Sequence, residues 1–228
     1  MRGFSELEEQ ARRLRQRLGI DVLWTPDMIN VLHKLHEVFP EFELVRVLDD
    51  DLPDCEAKAD FYQCKITIRE SVYQDCVKGD PRARMTVAHE IAHLALAHAG
   101  TRYRRAHQID DGYRSRNIDH EEAEARRFAG VFLVPTYLAR NCKSAGEIAE
   151  KFGVSAQAAE IRFDQLAPLI KQGPEPSQRW ASSKSKSPDE TRAIEGDGPR
   201  RLPTRVVDFL TEARRRGHRV TGLDGLDD

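Results

Sequence analysis

No run in this 228-residue sequence approaches the roughly 20 apolar residues that a membrane-spanning helix needs. The first ten residues, MRGFSELEEQ, turn acidic and amphipathic at once and lack the apolar stretch of a secretory signal, so a cytoplasmic location is expected. Neither sign of charge dominates: 36 Lys and Arg stand against 38 Asp and Glu, which leaves no general attraction to nucleic acid or anionic lipid. Cysteine is scarce, with Cys55, Cys64, Cys76 and Cys142 and no CxxC pair. A metal cluster of the first three would match no common zinc spacing, so reduced thiols are expected. Hydrophobic residues make up 39% of the chain and charged residues 32%, and the charges gather toward the C-terminus. That pattern describes a globular portion followed by something looser.

What is present reads as helices around a few strands. Ser5 and Glu8 form a capping box for a first helix, in which Phe4, Leu7, Ala11, Leu14 and Leu18 recur at helical spacing before Gly19. Thr25-Pro26 opens a second helix that runs to about Val38, with Met28, Leu32 and Leu35 facing inward. The segments FELVRV, AKADFY and KITIRE are short and β-rich, which predicts a small, mainly antiparallel sheet. Asp80-Pro81 starts a helix expected to reach about Ala99. The polar stretch GTRYRRAHQIDDGYRSRN, with no periodicity, follows it. A helix from about Asp119 to Leu133 buries Ala125, Phe128, Ala129 and Phe132 and ends before Pro135. Ser144 and Glu147 make another capping box, Gly153 closes that helix, and Ser155 caps the next, which runs to about Leu169. Residues 172–204 are polar and turn-rich and read as a linker, and residues 205–228 as a short amphipathic helix and tail.

The chemistry-bearing segment is His89-Glu90-Ile91-Ala92-His93. Histidines four apart share a helix face, so both rings can reach one ion. At about 100° per residue Glu90 lies roughly 60° from His93, beside such an ion and placed to take a proton from a water. Val87, Ile91, Leu94 and Ala95 are expected to anchor the opposite face. HExxH alone is only moderately specific, since an ordinary solvated face can carry two histidines. The independently predicted helix, its apolar back and the carboxylate-bearing helix after it favour zinc. Catalytic zinc takes three protein donors and leaves one position open. The extended HExxHxxGxxH pattern is not completed, because Ala99 stands where its last histidine would be, and His98 lies about 180° from His89. A third ligand is therefore expected from the following helix. Glu121 and Glu122 both flank its buried stripe, with Glu124 farther off, and periodicity does not separate the first two. Glu122 is also placed to be the capping-box partner of Asp119.

Taken together, KITIRE, TVAHEIAHLALAH, EEAEARRFAGVFLVP and EIAEKFGVSAQAAEIRFDQL resemble the ImmA/IrrE family of metallopeptidases over about residues 40 to 170. In that family the helix after HExxH carries a Glu-x-x-Ala-x-x-Phe-Ala pattern whose glutamate binds zinc. Here the pattern is Glu122, Ala125, Phe128 and Ala129, so the resemblance selects Glu122 as the metal ligand beside His89 and His93. Family members often carry Gly where Ala92 stands and Asn where Arg126 stands. The implied fold is α+β: a zincin-like core with a small sheet packed on helices, plus a C-terminal helical hairpin. Residues 1–171 would form the peptidase domain, with N-terminal helices over 1–40, the catalytic core over 41–134 and the hairpin over 135–171. The resemblance also implies a bacterial zinc endopeptidase that cuts a partner transcriptional repressor, with Glu90 as the catalytic base. It offers no counterpart for residues 172–228.

A different reading takes the hairpin around Gly153 as a DNA-binding helix-turn-helix, with the zinc site structural or idle. Its second helix offers Gln157, Glu160, Arg162 and Asp164, close to neutral, which weighs against direct contact with DNA. Arg102, Arg104, Arg105, Arg114 and Arg116 cluster after the active helix, and solvation is the commonest fate of such a run. For the peptidase, KITIRE is expected to offer a sheet edge to an extended substrate. Tyr103, His107, Tyr113 and His120 are the candidates to stabilise an oxyanion.

Overall fold

Ile66 and Ile68 are fully buried, and they hold their strand in the middle of the sheet. The computed structural model describes residues 2–98 and 111–171. Its elements are α1 (Phe4–Arg17), α2 (Met28–Val38), β1 (Glu43–Val47), β2 (Ala57–Asp60), β3 (Lys65–Arg69), α3 (Glu70–Val77), α4 (Pro81–Ala95), α5 (Asp111–Leu133), α6 (Thr136–Ala139), α7 (Ala145–Phe152) and α8 (Ala156–Lys171). The fold class is α+β, as expected. The linker at 172–204, the tail at 205–228, Arg102, Tyr103, Arg104, Arg105 and His107 lie outside the described residues, as do the side chains of Tyr113, Arg114 and Arg116.

The sheet runs β1-β3-β2 and is mixed, not mainly antiparallel. β2 and β3 form a hairpin closed by a tight turn, in which the Cys64 N–H donates to the Phe61 carbonyl and Gln63 N–H to Asp60. β1 instead pairs parallel with β3, because the link through the Asp49–Asp51 turn carries the chain across β3 before β2 begins. KITIRE is therefore the central strand and not an edge. The edge antiparallel to it is β2, which packs on α4.

Two predicted caps give way to tertiary partners. α1 starts after Gly3 without a side-chain cap, since Glu8 accepts from Arg162 Nη2 at 2.8 Å. α2 is capped by Asp27, which accepts from the Ile29 and Asn30 N–H groups, while Thr25 donates to the Lys151 carbonyl. α3, a two-turn helix that buries Val72 and Cys76, was not expected from periodicity. Asp80 caps α4 as predicted, accepting from Ala83 N–H at 2.9 Å with Pro81 in the first turn. The α7–α8 hairpin also follows its signals. Ser144 accepts from Glu147 N–H, Gly153 is left-handed at φ 60°, and Ser155 accepts from Ala158 N–H.

α4 stops at Ala95, short of the predicted Ala99. Ala97 turns left-handed at φ 56°, and the His98 and Ala97 N–H groups return to the His93 and Leu94 carbonyls, which closes the last turn. α5 begins at Asp111, well before the predicted Asp119, so Asp119 is an interior residue and not a cap. Its predicted stripe of Ala125, Phe128, Ala129 and Phe132 is fully buried. The inner face of α4 is Val87, Ala88, Ile91 and Ala92, while Leu94 and Ala95 are only half-buried. The contact between α4 and α5 is the most extensive of any pair of described elements. Alanines at 88, 92, 125 and 129 let two helix backbones come close there.

Candidate metal centre

α4 presents His89 and His93 one turn apart, and α5 crosses it so that Glu122 meets both rings. His89 Nε2 lies 3.2 Å from Glu122 Oε2. His93 Nε2 lies 3.0 Å from His89 Nε2 and 3.6 Å from Glu122 Oε1. One donor atom from each of the three residues falls within 4.8 Å of the others. α5 starts a full two turns earlier than predicted, which removes the capping-box role for Glu122. Glu121 is not in the group of three, and Glu124 is engaged elsewhere. The cysteines are free, and among the described residues they join no group of three metal-binding side chains.

Glu90 sits on the same helix with 8% of its surface exposed. Its carboxylate accepts a hydrogen bond from the Ala59 backbone N–H, on edge strand β2. Burial pushes its carboxyl up to about 7; Glu122 adds to that, while His89 and the Ala59 N–H pull the other way. The link to Ala59 follows from the ladder. Arg69 N–H donates to the Glu56 carbonyl, so alternate residues of β2 face β3 and Ala59 turns its amide outward.

Residues 61–164 match the family Peptidase_M78, described as the IrrE N-terminal-like domain. Over that stretch the chain is similar to the ImmA/IrrE family. The match takes in the hairpin turn, β3, α4, α5 and most of α8. No curated protein matches the chain. Among solved structures a Mycobacterium tuberculosis transcriptional regulator is similar, at 18% identity and a TM-score of 0.47, covering 68% of this chain. The similarity spans 45% of that regulator, so this chain corresponds to less than half of its length.

In this IrrE-like domain, polar structure extends behind the histidines, and sequence reasoning missed it. His98 was placed on the wrong side of a longer helix. With the chain turned at Ala97, its Nδ1 lies 3.2 Å from His93 Nδ1. Its Nε2 lies 3.3 Å from Glu124 Oε2. Glu124 is buried, and it also accepts from the Arg2 backbone N–H at 2.5 Å and from Arg2 Nη1 at 2.7 Å. Burial opposes ionisation of Glu124, yet Arg2 and His98 hold its carboxyl below the ordinary value. Burial also keeps the His98 imidazole below its ordinary value, against the pull of Glu124. Glu124 lies farther from the buried stripe than Glu121 and Glu122, so periodicity carries no signal for it, and Arg2 carries none either. Of the oxyanion candidates, His120 alone has a described side chain, and it is exposed on α5.

Proposed function

We propose that this chain is a zinc-dependent endopeptidase that works in the cytoplasm and cuts a partner transcriptional repressor, releasing the genes it controls. The observation that carries the reading is the convergence of His89, His93 and Glu122 beside buried Glu90. The donor set fits the ion. Tetrahedral zinc, with bonds of about 2.0–2.2 Å, spaces its N and O ligands roughly 3.3 Å apart. The two Nε2 atoms here are 3.0 Å apart, and each lies near one Glu122 oxygen, His89 at 3.2 Å from Oε2 and His93 at 3.6 Å from Oε1. Two neutral imidazoles and one carboxylate also leave one charge unbalanced, which suits a polarising site. No helix of the described residues is long and apolar enough to cross a membrane.

When bound, zinc supplies Lewis-acid polarisation of a carbonyl and makes water easier to deprotonate. The protein's own groups do the rest. Glu90 takes the proton of the attacking water at its carboxylate and later hands it to the leaving amine. The Ala59 N–H holds that carboxylate in place at the rim of β2. An extended substrate then has β2, not KITIRE, as the edge beside Glu90 to which it can add a strand. The repressor as substrate class comes from the family resemblance and not from a residue of the site.

The DNA-binding reading loses its one basic group. Arg162 points inward, 2% exposed, and donates to the Val134 carbonyl, Glu8 and Thr136. Gln157, Glu160 and Asp164 remain exposed on α8, and the two carboxylates repel phosphate.

Co-expression with candidate helix-turn-helix repressors tests the proposal. The wild type should give one discrete cleavage product that disappears on zinc removal. Glu90→Gln should keep near-stoichiometric zinc and lose roughly 10²–10⁴-fold in cleavage rate, because only the proton acceptor is gone. Cleavage by Glu90→Gln at the wild-type rate rules out this mechanism. An intact repressor alongside direct binding of the chain to promoter DNA replaces the peptidase with a regulator.

A further inference from the structure

We propose that Arg2, Glu124 and His98 form a hydrogen-bonded chain that sets the tautomer and ring orientation of His93, so that His93 Nε2 presents a lone pair to the metal. This rests on the zinc reading above, and it assigns positioning roles to three residues outside the HExxH and Glu122 set.

Arg2 reaches Glu124 twice, with its backbone N–H on Oε1 and its guanidinium on Oε2. Its other guanidinium nitrogen donates to the Leu96 carbonyl at 2.9 Å, so Arg2 ties the C-terminal end of α4 to α5. An ionised carboxylate paired with a guanidinium is acceptor-only. The His98 nitrogen that faces it, Nε2 at 3.3 Å, must therefore carry the proton. A neutral imidazole protonated at Nε2 has its lone pair at Nδ1. That atom faces His93 Nδ1 at 3.2 Å, and two ring nitrogens at such a distance bond only if one of them donates. His93 Nδ1 is then the donor, and its Nε2 is left as a lone pair directed at His89 and Glu122. With His98 neutral, each link takes one proton placement, and the last is the one that ligation requires. A partner behind a ligating histidine also raises its basicity and fixes its ring.

The left-handed turn at Ala97 is what permits this geometry. A helix continued to Ala99 would carry His98 away from His93, whereas the turn folds its ring back until the two ring centres are 5.1 Å apart. His98, at 5% exposure, and Glu124, likewise 5%, are too deeply placed for this pairing to be a surface accident.

The test uses the full chain with isotope-labelled histidine and one equivalent of zinc. Long-range nitrogen–proton spectra should show His98 as the Nε2–H tautomer and His93 as the Nδ1–H tautomer ligated through Nε2. Glu124→Gln puts a donor where only acceptors fit, facing either Arg2 or His98. Its zinc affinity, measured by competition with a chromogenic chelator, should fall roughly 10–100-fold. A purely structural role for Glu124 would lower the melting temperature of the metal-free chain and leave that affinity alone. His98 found as the Nδ1–H tautomer overturns the inference, and so does a folded Glu124→Gln that binds zinc like the wild type. Should Glu124→Gln not fold, the wild-type spectra decide. A wild type that takes up no zinc sinks the peptidase reading separately, and the tautomers of the metal-free chain still decide this one.

Discussion

Arg15, Arg84 and Arg162 bring cationic donors to oxygen atoms, whereas His89, His93 and Glu122 bring two imidazoles and a carboxylate together. Arg15 donates to the Phe132 and Ile20 carbonyls, and Arg84 to those of Pro26 and Phe152. Arg162 donates to the Val134 carbonyl and to Glu8. These buried cations meet the ends of α5, α7 and their neighbouring loops, where helix geometry leaves carbonyls without intrahelical partners. On the arginine side donors face acceptors, although Arg84 Nε is buried without a hydrogen-bond partner. On the other side two half-buried imidazoles and a carboxylate converge, with ring nitrogens and carboxylate oxygens 3.0–3.6 Å apart. One set of polar groups holds helices together, and the other can hold a cation.

The largest test of that contrast is on the acceptor side. His93→Ala or Glu122→Ala should weaken zinc binding by more than the roughly 100-fold that loss of an outer-shell partner costs. Metal analysis after dialysis reads the difference directly. Glu121→Ala should keep its zinc, since Glu121 is not in the group of three. Zinc lost by Glu121→Ala and kept by Glu122→Ala would reassign the third ligand.

On the arginine side the expected effect is smaller and of a different kind. Arg162→Met leaves the Val134 carbonyl and Glu8 without their buried donor and should cost about 3 kcal/mol in denaturant unfolding. Zinc stoichiometry of the folded variant should not change. If it fell, the two sides would be coupled and the contrast would fail.

The smallest effects separate two left-handed positions. Gly153 ends α7 at φ 60° beside Arg84, and a Cβ there would stand 3.0 Å from Thr25 Cγ2. Gly153→Ala should destabilise by roughly 1–2 kcal/mol. Ala97 ends α4 at φ 56° with a side chain already present, so Ala97→Gly should stabilise by up to about 1 kcal/mol. Thermal melts of the two variants should move in opposite directions. Strain kept at Ala97, next to His98, and avoided at Gly153 fits a molecule that tolerates it beside its site.

Several features were readable because their causes lie within a few residues. Asp80-Pro81 starts α4, Ser144 with Glu147 starts α7, and the spacing of Ala125, Phe128, Ala129 and Phe132 marks the inner face of α5. His89, Glu90 and His93 share a helix face by geometry alone. Other features depended on partners far away in the chain. Ser5 and Glu8 look like a cap until Arg162 takes Glu8, and Thr25 looks like one until the Lys151 carbonyl takes it. The first turns of α5 carry no apolar stripe, so periodicity could not extend that helix back to Asp111.

The local pattern of side chains thus determined which helix bears the two histidines and the carboxylate beside them, because caps, turn residues and a 3.6-residue repeat act over one or two turns. Only the tertiary structure decided which strand is the edge, that Glu122 meets the histidines, and that Glu124 turns away to Arg2 and His98. Strand order, helix crossing and the pairing of buried charges depend on groups that are brought together from about 20 to 120 residues apart. Spacing along one helix cannot encode what a second helix will bring to it.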